Sequence, residues 1–360
     1  MKKVIIYNDR WCSGGVESMI MNLLSHYDFS DVKIVILVGQ KETCIYDDFL
    51  SKKGFSVIPI LDGTVSNPII RDIKVMHKLK KHFKSINPNL VHINVCNSIG
   101  FKYAKIAKKT CNCTTIVHSH NTKIEHDKFG IKKFAHWFYK HLERFSDINI
   151  SCSKLAGDFM FNKNYIVLKN GVDLNRFKYD LNIRMLCREK YGYSDSDTVL
   201  LNVGRFNEQK NQLFLLDVLN DLPGNYKLLV VGEGPLKESF DQKVKILKLC
   251  DRVKVLEPTS TIENVYNLSD IFVLPSLHEG LPVVGIEAQA NGLNCIFSSE
   301  ISNEVIVTIN SILLSIDDSK KWAEKIISIK PNRIEVKDAF IDKGYCIEQS
   351  SKKLHDIYLK

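Results

Sequence analysis

Two carboxylates, Glu279 and Glu287, stand eight positions apart and enclose the run Gly280-Leu281-Pro282-Val283-Val284-Gly285-Ile286. The apolar run Ile271–Leu274 precedes them and ends in Pro275-Ser276, so the order reads buried strand, turn, and a helix entered at about Leu281-Pro282. Proline is tolerated in a first helical turn because its missing N–H would have had no partner there. Glu279 falls on the loop and Glu287 inside the helix, so one carboxylate can reach each end of an elongated polar ligand. A carboxylate only accepts hydrogen bonds, which suits vicinal sugar hydroxyls, and a helix N-terminus suits an anion. A second loop, Gly204-Arg205-Phe206-Asn207-Glu208-Gln209-Lys210, follows the apolar run Val199–Val203. Its glycine lets backbone turn close to a ligand, while Arg205 and Lys210 supply the fork and the point charge that two phosphates call for. Gly232-Glu233-Gly234-Pro235 is a third glycine-rich turn after a strand; Lys237 fills the last position of G-x-G-x-x-G, so the dinucleotide fingerprint is broken. In the first half, Gly14-Gly15 opens a helix after the first strand, and His118-Ser119-His120-Asn121 closes another strand. Histidines at the carboxyl end of a strand can bond a sugar hydroxyl or a phosphate.

These groups need a scaffold that gathers strand ends. Strand-like runs at 4–7, 32–38, 56–60, 90–94, 114–118 and 147–151 alternate with helical runs at 71–85, 101–109, 132–145 and 154–161. In 71–85, Ile73, Met76, Leu79 and Phe83 are spaced for one helical face. Pattern fades over 175–197, where a connection with a short helix is expected, and alternation restarts at Thr198 and runs to Phe297 before a mostly helical tail, with helices near 320–329 and 343–359. Alternation of this kind predicts an α/β chain of two doubly wound, Rossmann-like domains with ligands at the carboxyl ends of the strands. Residues 1–170 form the first, 171–342 the second, and 343–360 a final helical segment.

The sequence resembles the retaining nucleotide-sugar glycosyltransferases of the GT-B fold, and within them family 4. The likeness rests on Pro275 through Glu287 as the E-x7-E motif, on Gly204-Arg205 through Lys210 as G-R-x-x-x-x-K, and on Gly232-Glu233-Gly234-Pro235. It extends over nearly the whole chain and is densest over 198–297. The resemblance implies two domains facing across a cleft, with the first receiving the acceptor and the second the nucleotide sugar. It implies that Glu279 contacts the donor sugar and Glu287 the ribose, that amides of Gly280, Leu281 and Pro282 meet sugar and phosphate, and that Arg205 and Lys210 hold the diphosphate. Gly14, Gly15, Gly204, Gly232, Glu233 and Gly234 would line the donor, and the final helix would pack back on the first domain. A histidine near the reaction centre is expected; His118 is favoured for that place, with His120 and Asn121 toward the acceptor. His118–Thr122 and Trp322–Ile326 further resemble bacterial capsule and exopolysaccharide transferases. The expected activity is transfer of a hexose or N-acetylhexosamine, with UDP the favoured carrier, to a saccharide on a lipid diphosphate. A nucleotide-sugar epimerase, a phosphorylase and a non-catalytic partner subunit are the competing readings.

Composition bounds these readings. Hydrophobic residues make up 44% and charged residues 25% of the chain, values of a globular protein, and no apolar run approaches a membrane span. The net charge of +9 is uneven, with +12 over 1–170 and −3 over 171–360. A basic first half suits an anionic partner. The basic helices 71–84 and 132–144 can lie on an anionic membrane, here the inner face of the plasma membrane, or simply be solvated. No nucleic-acid motif accompanies the charge, so nucleic acid is not expected as a partner. The ten cysteines show no C-x-x-C pair, which points to the cytoplasm, and Cys250 and Cys295 read as small core residues. Asp195-Ser196-Asp197 precedes its strand rather than following one and reads as a solvated turn, and G-x-x-x-x-G-K-[ST] is missing from the sequence. Neither a metal nor a cofactor is expected.

Overall fold

The computed structural model describes residues 1–12, 15–42, 50, 52–61, 63, 65, 67–122, 124 and 130–360. The chain divides into two compact units, one of Met1–Gly171 with Ile347–Lys360 and one of Val172–Cys346. Each is a parallel sheet covered by helices on both faces. The final helix begins at Ile347 rather than near 343 because Gly344, at φ +70°, breaks the tail into Lys337–Asp342 and Ile347–Leu359.

The first unit holds β1 (Lys2–Trp11), β2 (Val32–Lys41), β3 (Val57–Pro59), β4 (Leu90–Val95), β5 (Thr114–Ser119), β6 (Ile148–Ser151) and β7 (Ile166–Val167), in the order β3-β2-β1-β4-β5-β6-β7. Strand β1 is longer than its apolar core suggested, running on through Asn8–Trp11 in register with Val38–Lys41 of β2. One layer packs the helices Gly15–Ser25 and Ile347–Leu359 on the sheet through Leu23, Leu24, Leu354 and Tyr358. The other places Pro68–Ile86 and Ile99–Cys111 on the opposite face. The inward residues of Pro68–Ile86 are Val75, Leu79 and Phe83; Ile73 is 57% exposed, one step off the expected face. That rotation lets Arg71 pair with Asp9 and Asp72 with Lys102.

The second unit holds β8 (Thr198–Val203), β9 (Tyr226–Val231), β10 (Val253–Leu256), β11 (Ile271–Leu274), β12 (Asn294–Ser298) and β13 (Ser311–Leu314), in the order β10-β9-β8-β11-β12-β13. Its central strands β8, β9, β11 and β12 are largely buried on both faces, as crossover helices require, and the edge strands β10 and β13 are partly buried. The sequence pattern did not reveal β13, an edge strand of four residues that is only partly buried. The helix Leu181–Tyr191 fills most of the region where pattern fades, capped by Asp180 and ended by Gly192 at φ +73°. Cys295 is buried as expected, whereas Cys250 is exposed at the end of a helix-to-strand turn. Asp197 accepts hydrogen bonds from the amide and hydroxyl of Ser194, forming a turn.

Chain order reverses between β8 and β11, and that is the one place in this sheet where two consecutive connections diverge to opposite sides and leave a crevice. Asp270 fixes the feet of both strands. Its carboxylate accepts from Arg184 at 2.6 Å, Arg188 at 3.1 Å and the Val199 amide at 2.7 Å. Arg188 is 4% exposed and Asp270 9%. Removing one partner of such a buried pair strands the other charge. Asp270→Ala is therefore expected to destabilise the second unit by about 3–5 kcal/mol, read as a lowered midpoint of urea unfolding; an unchanged midpoint would refute this role.

Candidate active site

The loops that leave β8 and β11 are bound to one another. Leu277 donates its amide to the Gln209 carbonyl at 2.8 Å, and the Gln209 side chain donates to the His278 carbonyl at 2.9 Å. Asn211, at φ +53°, donates to the Pro275 carbonyl. Asn207 caps the short turn Glu208–Lys210, accepting from the Lys210 amide, and this turn aims the lysine side chain across the gap. There Lys210 Nζ meets Glu279 Oε1 at 2.5 Å, with the two side chains 15% and 11% exposed. Ser276 Oγ donates to the same carboxylate oxygen at 3.0 Å. A half-buried, charge-assisted pair of this kind is short and strongly oriented. A Cβ on Gly204 would stand 3.1 Å from Lys210 Cε, so the glycine leaves room for the lysine stem.

The glycine turn after β9 supports the same loop from below. Gly204 donates to the Val231 carbonyl and Phe206 to the Glu233 carbonyl. A Cβ on Gly232 would lie 2.1 Å from the Gly204 carbonyl oxygen, and one on Gly234 2.5 Å from that of Phe206. Backbone contact therefore demands glycine at both positions. Glu233 points outward from this turn and is exposed. Arg205 is likewise exposed, and its guanidinium makes no ion pair among the described residues.

Pro282 sits at the N-cap of the helix Val283–Ala290, with φ −72° and ψ 105°, rather than inside its first turn. Its extended ψ turns Gly280 and Leu281 out of the helix, leaving them half-buried on the loop. Gly285 lies against the Phe297 ring, where a Cβ would be 2.6 Å away, so this helix lies close on the sheet. About one turn into this helix, Glu287 keeps part of its surface open. Its carboxyl is desolvated, and that burial pushes it up to about 7, against the hydrogen bond from Tyr266 and the attraction of Arg176, which pull it down. Tyr266 Oη donates to it at 3.0 Å.

In the first unit the two candidate histidines separate. His118 is fully buried, 0% exposed, with its ring stacked on His92 at 5.3 Å between centroids. His92 Nε2 and His118 Nδ1 are 3.2 Å apart, and His92 Nδ1 meets Tyr358 Oη of the final helix at 2.7 Å. His118 therefore lies in the interior beside His92, a residue that the sequence pattern did not single out. His120 is the part-exposed one; its Nε2 lies 2.9 Å from Asn94 Oδ1, and its ring packs at 4.1 Å on His118. Burial holds His92 and His120 down at about 3 and His118 well below its usual value, so all three are neutral near pH 7. Asn121 turns its oxygen onto the Thr122 amide. Gly15 opens its helix with open space around its Cα, whereas Gly14 lies outside the described residues.

The family profile described as "Glycosyl transferases group 1" matches residues 186–346, and "Glycosyltransferase Family 4" matches 13–176. Together they span both units. The chain belongs to the GT-B glycosyltransferases of the family 4 type. This glycosyltransferase is 27% identical to EpsF of Bacillus subtilis (strain 168), assigned as a glycosyltransferase, over 96% of this chain and 93% of that one. It is also 27% identical to the Escherichia coli UDP-Gal:alpha-D-GlcNAc-diphosphoundecaprenol alpha-1,3-galactosyltransferase, over 91% and 89%. Among solved structures it is similar to Anabaena HepE in complex with UDP-glucose, at a TM-score of 0.76 and 17% identity, over 99% and 95% of the two chains.

The raised pKa of Glu287 carries a sign. Folded, this carboxyl keeps its proton up to about pH 7, whereas unfolded it ionises near 4.5. The stability it contributes is present below 4.5 and lost as pH rises toward 7. Thermal melts of the glycosyltransferase against its Glu287→Gln variant are expected to show wild type losing ground steadily across that window; parallel profiles would count against a protonated Glu287.

Proposed function

We propose that this glycosyltransferase moves a hexose or N-acetylhexosamine, with retention, from a UDP-sugar to a saccharide acceptor in the assembly of a bacterial surface polysaccharide. The observation that carries the donor side is the Lys210–Glu279 pair between the loops of β8 and β11, with Arg205 uncommitted beside it. Lys210 and Arg205 bring two positive charges to one loop, enough to face a diphosphate. Glu279, already oriented by Ser276 and Lys210, accepts from hydroxyls of the transferred sugar. Glu287, about one turn into the helix Val283–Ala290, accepts from the ribose hydroxyls.

As the glycosidic bond to phosphate lengthens, negative charge collects on the leaving diphosphate. Lys210, oriented before the reaction by Glu279, and the amides of Gly280 and Leu281 stabilise that charge with little reorganisation, and the uncommitted Arg205 closes on it, which is where most of the acceleration arises. The side chains so placed neutralise the leaving group themselves, and the reaction is assigned as independent of metal and of any cofactor. No protein nucleophile is assigned. His120, the histidine with surface exposure at the end of β5, is placed beside the acceptor in preference to His118.

The Escherichia coli relative is named for a UDP-sugar donor and an acceptor on diphosphoundecaprenol, which supports a lipid-diphosphate-linked saccharide as acceptor here. The test offers purified protein UDP-, GDP- and ADP-sugars in EDTA, with and without such an acceptor, and follows released nucleoside diphosphate. Release from a UDP-sugar is expected to rise with acceptor and to fall about 100-fold or more in Lys210→Ala and Glu279→Ala, with melting temperatures retained as a folding control. A free, epimerised nucleotide sugar without acceptor would make the protein an epimerase. Donor binding without turnover would make it a partner subunit.

A further inference from the structure

Asn94 is a costly residue for its place. It stands near the carboxyl end of β4, paired with Asn8 of β1 on one side and His118 of β5 on the other, and is 1% exposed. Asparagine is depleted in strands, and a buried amide is tolerated only when its polar ends are bonded. Both ends of this one are. Its Nδ2 donates to the Tyr7 carbonyl at 3.4 Å, and its Oδ1 lies 2.9 Å from His120 Nε2.

These two contacts fix where the hydrogens are. A carbonyl oxygen only accepts, so the NH2 end of Asn94 must face Tyr7 and its oxygen must face the ring. An amide oxygen also only accepts, so the hydrogen between Asn94 and His120 sits on His120 Nε2. His120 is neutral, since burial holds it down at about 3. A neutral imidazole with hydrogen on Nε2 carries a bare lone pair on Nδ1. Nδ1 of His120 makes no hydrogen bond among the described residues, and it is not sealed from solvent as Nε2 of His118 is. The ring packs on His118 at 4.1 Å while the residue keeps part of its surface open. His120 therefore presents an acceptor, and Asn94 decides that it is an acceptor and not a donor.

We propose that Asn94 is a positioning residue, which accepts from Nε2–H and so holds His120 in the tautomer whose Nδ1 accepts a hydrogen bond from the attacking hydroxyl of the saccharide acceptor. Holding the hydrogen of that hydroxyl leaves its oxygen lone pairs free to face the sugar carbon; the opposite tautomer would occupy one of them. The inference rests on the placement of His120 beside the acceptor under the proposed function, but the tautomer belongs to the protein alone and is read without substrate.

Full-length protein is prepared with histidine carrying a magnetic isotope at both ring nitrogens, for which protonated and bare nitrogens resonate far apart. The chain has 11 histidines, so the His120 signals are assigned as those lost in His120→Gln. Near neutral pH, Nε2 is expected to be protonated and Nδ1 bare. Asn94→Leu leaves a buried Nε2–H without a partner, and His120 is expected to move to the Nδ1–H form, whose hydrogen reaches water. The same variant is expected to raise the KM for the saccharide acceptor about tenfold at unchanged affinity for UDP and a retained melting temperature. A wild-type His120 protonated on Nδ1 overturns the proposal, and that spectrum decides even where Asn94→Leu does not fold. A tautomer unmoved in folded Asn94→Leu overturns it too, as does a switched tautomer with an unchanged acceptor KM. Absence of turnover with every donor and acceptor would refute the proposed function, while the spectra would still decide for or against Asn94 as the residue that sets the tautomer.

Discussion

The carboxylate of Asp270 ties together the parts of the second unit on which the site depends. It gathers two arginines and a backbone amide at the amino ends of β8 and β11, the two strands that diverge at the switch in sheet order. Asn202 adds a bond from its side chain to the Val273 carbonyl across the same strand pair. With the feet fixed, the carboxyl ends of these strands are fixed too, and the loops they release can be joined by only a few hydrogen bonds and the Lys210–Glu279 pair. Precision at the site is thus inherited from burial at the opposite end of the strands.

That division of labour explains why the loops carry so little core. Gln209, Asn211 and Ser276 spend their side chains on holding backbone or Glu279, while Arg205 and Glu233 face outward. The glycines at 232 and 234 admit the β8 loop at a distance that any Cβ would forbid. In the first unit, polar groups are buried instead of presented. Tyr358, His92 and His118 form a chain of contacts from the final helix into the sheet, and His120 is the member that emerges.

Much of the second unit was legible because its signals are local. Strand β8, strand β11 and the glycine turn after β9 are short apolar runs punctuated by Gly or Pro, and a strand followed by a helix puts its loop at the carboxyl end in any parallel sheet. The misses have equally definite causes. Spacing alone placed Ile73 inward, but Arg71 and Asp72 found partners that rotate the helix by about one residue. Gly344, at φ +70°, interrupts the helical pattern around it, so the final helix starts at Ile347 and not near 343. Cys250 follows an apolar run yet sits in an exposed turn.

By itself the sequence determined the α/β architecture, the two-unit organisation and the loops on which Arg205, Lys210 and Glu279 stand, since each follows from periodicity or from spacing within a dozen residues. Only tertiary structure decided which groups touch. Lys210 and Glu279 are separated by 69 positions, and His92 and Tyr358 by 266. Which of two histidines in a four-residue motif is swallowed by the core, and which face of an amphipathic helix looks outward, depend on partners supplied by distant strands. No local pattern encodes them, because burial is a property of what packs against a residue and not of the residue itself.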